Sequence, residues 1–180
     1  FITRARREAG IRWVEAISQK HWAWEDVADY QKTCNAHDEM FDGAITEIEY
    51  WAHGGTNVSE MLDPIAFTKT LNPTPRLDPL APERSRFYYA SYIGWPQPGQ
   101  IKNEMARELD FVYMHAFRRE PCTTYVYSKA RLDEMDESAN LVAVTIFSSE
   151  GADFRDMEER FMGDWLAAHE NHTHGGRHRG

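Results

Sequence analysis

Residues 140–148, Asn-Leu-Val-Ala-Val-Thr-Ile-Phe-Ser, constrain the fold more than any other stretch. Val142, Val144 and Ile146 alternate with Leu141, Ala143 and Phe147, so a strand here is apolar on both faces and belongs inside a covered sheet. Residues 122–132 also alternate: Thr124, Val126, Ala130 and Leu132 oppose Tyr125, Tyr127, Lys129 and Arg131. The acidic link 133–138 reads as a hairpin loop, which makes the two strands antiparallel neighbours. Past Gly151 the period becomes helical, with Phe154, Met157, Phe161 and Trp165 on one face to close the sheet.

Upstream, residues 3–20 and 24–40 read as two helices. Ile11, Val14 and Ile17 mark the buried side of the first; Trp24, Val27, Ala28 and Cys34 keep helical spacing in the second. Residues 44–52 alternate as a strand with Glu47 and Glu49 facing out, and His53-Gly54-Gly55 forms a turn. Asp63-Pro64 suits the start of a short helix. Six of the eight prolines fall within 72–99, around the aromatic run Phe87–Trp95. That run reads as a strand held between irregular arms, the prolines being unable to continue a ladder. Residues 100–119 carry both periods; their aromatic second half favours a helix to about 108 and a strand after it.

The fold expected is α+β: two N-terminal helices packed on a mostly antiparallel sheet with a C-terminal strand meander, closed by a C-terminal helix. One domain spans 1–168, with a proline-rich arm at 72–99 and a polar His/Gly-rich tail at 169–180.

A net charge of −9 argues against a nucleic-acid surface, since phosphates must be met by clustered Lys and Arg. No apolar run is long enough to span a membrane, so the chain does not read as an integral membrane protein. Cys34 and Cys122 are far apart and belong to no CxxC pair, which favours free thiols in a reducing compartment, cytoplasm or organelle matrix. The chain begins at Phe1 rather than Met, and the expectation is that it has been processed or truncated.

No phosphate loop, dinucleotide fingerprint, nucleophile elbow or HExxH motif occurs. The tail holds four of the eight histidines, but a Gly-rich tail does not preorganise a metal site, so neither metal nor cofactor is expected. His115 is the internal histidine of most interest. On a strand it shares a face with Tyr113 and lies near Tyr125 and Tyr127, an arrangement suited to acid–base work on a small ligand. The plainer reading is a half-buried histidine satisfied by one hydrogen bond. His53 precedes two glycines that let a backbone approach a ligand, or simply form a turn.

Six tryptophans in 180 residues, the proline-rich arm and the missing signature together favour an interaction role. The expectation is a non-catalytic accessory subunit of a larger assembly, docking on other protein subunits or a second copy of itself through aromatic surfaces, the 72–99 arm and the C-terminal tail. The alternative is a small cofactor-independent lyase, isomerase or hydrolase, with His115 as base and Tyr113 or His53 positioning the substrate.

Overall fold

The computed structural model describes residues 1–71, 86–115, 121–138, 142–146, 163–164, 166–168 and 170; for 21, 53, 121–124 and 142–146 it describes the backbone. Its elements run α1 (Ile2–Ala9), β1 (Glu15–Ser18), α2 (His21–Thr33), β2 (Gly43–Thr46), α3 (Ser59–Leu71) and β3 (Tyr88–Ile93). A π-helical turn Ile101–Met105 leads into α4 (Ala106–Glu108), followed by β4 (Phe111–His115), α5 (Pro121–Asp136) and β5 (Val142–Ile146).

The five strands form one sheet in chain order, and every neighbouring pair is parallel. This α/β arrangement overturns the α+β expectation, its mostly antiparallel sheet and its C-terminal meander. The error began at 122–132. Thr123, Thr124, Tyr125, Val126 and Tyr127 have strand preferences, yet the segment is helix α5. Pro121 opens it, where a missing N–H costs nothing. Residues 128–136 are mostly good helix formers, and Lys129 pairs with Asp133 one turn on. The presumed hairpin loop is therefore the end of a helix, and helix α5 carries the chain across to a parallel β5.

Other expectations fared unevenly. Strands over 87–95, 111–117 and 140–148 are present in shortened form as β3, β4 and β5, and the switch from helix to strand near 108 is found. The first presumed helix stops at Gly10, whose φ of 67° ends it, and the chain re-enters as β1. Pro64 sits inside α3 rather than at its start. β5 is last in the described strand order, not central. Residues 72–85 of the presumed 72–99 arm, most of the closing helix and nearly all of the tail lie outside the described residues.

A parallel sheet in simple chain order, with each crossover right-handed, puts its helices on one face. Burial agrees. Ala44, Ile93, Val112 and Met114 point to that face and pack with Trp24 of α2, Met61 and Ile65 of α3, Ile101, Met105, and Met135 of α5. Each fully buried Ile or Met contributes ~1.5–3 kcal/mol.

The other face carries Glu15, Ile17, Ile45, Tyr88, Ala90, Tyr92, Phe111, Tyr113 and His115, by alternation and register. It is concave. In a flat sheet, with strands about 4.8 Å apart, β1 and β4 would lie about 14 Å from each other. Yet the Tyr113 hydroxyl on β4 donates a hydrogen bond to Glu15 on β1, and Trp13, just before β1, meets the Phe111 ring edge-on at 5.9 Å. Side chains standing on a flat sheet cannot bridge that span. The sheet curls as the wall of a (β/α) barrel does.

At the amino-terminal end, α1 is pinned to the sheet by Arg6. Its Nη2 lies 2.7 Å from Asp42, which also accepts the Val14 N–H at 2.7 Å. Both charged side chains are buried, so the pair specifies where α1 sits.

Candidate active site

Parallel α/β sheets bind their ligands at the carboxyl ends of the strands, where the connecting loops begin. His115 is the last residue of β4 and stands at that end of the concave face. It is 7% exposed, and its Nε2 lies 3.1 Å from the Tyr127 hydroxyl. Among the described residues three aromatic rings surround the imidazole. Trp95 meets it edge-on at 4.8 Å, Tyr92 at 5.6 Å and Tyr127 at 6.0 Å. Trp95 is 52% exposed, so it forms the rim of the site.

Arg131 builds this corner from below. Its Nη1 donates to the carbonyls of Gly94 at 2.6 Å and His115 at 3.1 Å, and its Nη2 to that of Tyr127 at 3.2 Å. The guanidinium also lies 4.4 Å from the centre of the Tyr127 ring. One buried cation thus ties the ends of β3 and β4 to α5, and it fixes Tyr127 over His115. Tyr127 and Arg131 are four residues apart on one helix face, the spacing at which side chains stack. Gly94 is required for space: a Cβ there would come within 2.9 Å of His115 Nε2 and closer still to the Trp51 indole.

Glu47 follows β2. Since Thr46 pairs with Ser91, the register sets Glu47 beside Tyr92. Glu47 and Glu49 are exposed, and neither makes an ion pair or side-chain hydrogen bond among the described residues. The Tyr92 phenol is pushed up to about 12, first by burial and then by the charges of Glu49 and Glu47. Tyr92 therefore stays a neutral hydroxyl near neutrality.

The sequence-derived candidates separate here. His115 and Tyr127 meet as anticipated, although Tyr127 comes from a helix and not a neighbouring strand. Tyr113 shares the face of His115 but is bound to Glu15 deeper in the concave face. Its phenol is raised, mainly by burial and then by Glu15. His53 lies in the 3₁₀ turn Ala52–Gly54 beyond β2. Arg131, Glu47 and Glu49 were missed as site residues; a strand puts Arg131 on the face of Tyr127 but about 13 Å away, and only the helical rise over 121–136 brings the two into contact.

Beneath this mouth the face is filled. Trp13 packs on Tyr88 at 5.0 Å, and Tyr88 on Phe111 at 5.3 Å. The Glu15 carboxyl is raised: burial dominates and the Asp42 charge adds, against hydrogen bonds to Tyr113 and Trp13 that pull it down. A polar cleft of about 530 Å³ opens elsewhere, at the amino ends of β3 and β4, among Lys69, Arg86, Arg107, Glu108 and Asp110. Two of its cations are already paired, Lys69 with Glu108 at 2.7 Å and Arg86 with Asp110, and no histidine is among its described lining residues.

Among the described residues no three His, Cys, Asp or Glu side chains converge as metal ligands, and no described helix is long and apolar enough to cross a membrane. Cys34 is a free, buried thiol. No protein-family model, curated protein or solved structure matches this chain.

Proposed function

We propose that this chain is a small enzyme unit performing general acid–base chemistry on a small molecule at the carboxyl ends of its parallel strands. The observation that carries the reading is the His115–Tyr127 contact of 3.1 Å at the end of β4, beside a half-exposed Trp95. Imidazole is the side chain whose ordinary titration lies near neutrality, so it can take a proton and return it. Tyr127 holds one ring nitrogen and fixes the ring plane. Tyr92, kept neutral, supplies a hydroxyl that donates to substrate oxygen. Lyase, isomerase and hydrolase reactions fit this set, because each can run on proton transfer by the protein's own side chains. The test is turnover across a panel of such substrates by wild type and His115→Gln. Loss of turnover with unchanged thermal stability supports the reading; retained turnover refutes it.

A second reading has its own observation. Ile17 on β1 and Trp22 at the start of α2 are 57% and 63% exposed. Large apolar side chains bared on an edge strand and its following helix suit docking onto other protein subunits or a second copy of this chain. In that case the chain is an accessory subunit, and its light-scattering mass rises with concentration or with partner. A mass of one chain at every concentration, alone and in extract, contradicts it.

A further inference from the structure

The mouth of the concave face has a definite electrostatic character, and it narrows what the site would take. The aromatic rings of Trp95, Tyr92 and Tyr127 gather around His115. Aromatic faces are electron-rich and attract cations. Glu47 and Glu49 stand at the same end of the sheet, with Glu47 beside Tyr92 in the register, and no described cation neutralises either. Arg131, beneath the His115–Tyr127 pair, is 7% exposed and directs its guanidinium at the carbonyls of Gly94, His115 and Tyr127. The whole chain carries −9, which raises the local concentration of positive solutes and repels anions.

We propose that the mouth binds a small organic cation, an amine or quaternary ammonium compound, with the positive group against Trp95 and Tyr92 and within reach of Glu47 and Glu49. The inference rests on the mouth being the reactive site. The ammonium end anchors the molecule while its remaining part extends toward His115, where a proton is taken or given. A phosphate or carboxylate ligand meets two unpaired carboxylates here. A neutral polyol finds hydrogen-bond partners but no use for the charge.

Choline is a suitable probe, because its uncharged carbon isostere, in which a tert-butyl group replaces the trimethylammonium, has nearly the same shape. Calorimetric titration of the full chain at low and moderate salt, at one fixed pH, makes the comparison. The expected result is saturable choline binding at least about tenfold tighter than that of the isostere. Binding should weaken with added salt, in Glu47→Gln/Glu49→Gln and in Trp95→Ala. Both glutamates are exposed, so their amide variants keep the fold. Equal affinity for the isostere overturns the proposal, as does saturable binding of a neutral disaccharide without choline, or binding of neither. Choline affinity at fixed pH does not require proton transfer by His115. Its retention in an inactive His115→Gln, or its absence in a protein whose activity still depends on His115, separates the two ideas.

Discussion

The two ends of the concave face use the same kinds of residue to opposite effect. At the amino end Trp13, Tyr88, Phe111 and Tyr113 close on one another, and the one acid among them, Glu15, is bound by Tyr113. At the carboxyl end Trp95, Tyr92 and Tyr127 surround His115, while Glu47 and Glu49 remain exposed. Aromatic–acid composition alone thus does not make a site. The lower set joins Tyr113 to Glu15 across the curl of the sheet, and the upper set pairs His115 with Tyr127 while its two carboxylates stay exposed.

The largest effect expected from this contrast is on activity. His115→Gln should lower kcat by about 10²–10⁴-fold, the span associated with a general acid or base. Tyr113→Phe, two residues away on the same face, should leave kcat within about threefold and cost ~1 kcal/mol of stability for its lost hydrogen bond. Steady-state kinetics with denaturant melts of both variants measure this; equal losses of kcat would erase the division into mouth and filled floor.

Next in size is Arg131→Met, which keeps much of the packing but removes the donors to the Gly94, His115 and Tyr127 carbonyls. A loss of about 3 kcal/mol is expected from a buried charged donor set, read from chemical denaturation. Arg131→Lys should recover little, since an ammonium cannot reproduce the fork.

The smallest effect lies at the floor. Glu15 is raised above 4.5 in the folded chain, so the folded state holds its proton where the unfolded state has lost it. Its stabilising contribution is present below about 4.5 and fades as pH rises through the folded value. Stability measured against pH should therefore decline over that window in wild type, and Glu15→Gln should flatten the decline. An unchanged slope would show that Glu15 is ionised in place.

How far the sequence carried depended on which physical signal dominated locally. The β-branched run Val142–Ile146 and the aromatic run Tyr88–Ile93 marked strands because such residues suit a pleated sheet. Residues 121–136 misled, because β-branched and aromatic residues at the start of a helix are tolerated when tertiary packing selects the helix. That one misreading turned a crossover into a hairpin and a parallel sheet into an antiparallel one. His115 was visible as a candidate from its neighbours on a strand. Its partner Tyr127 was near it for another reason than supposed, and Arg131 could not be placed without the helix. Tyr113 could not be separated from the site, since only the curl of the sheet reveals that Glu15 reaches it.

The most direct measurement is the titration of the His115 ring by heteronuclear NMR in wild type, Tyr127→Phe and Tyr113→Phe. Losing the Tyr127 hydroxyl should move the His115 midpoint and tautomer balance, while losing the Tyr113 hydroxyl should move neither. A midpoint that ignores Tyr127 and follows Tyr113 would contradict the pairing at the mouth and the reading built on it.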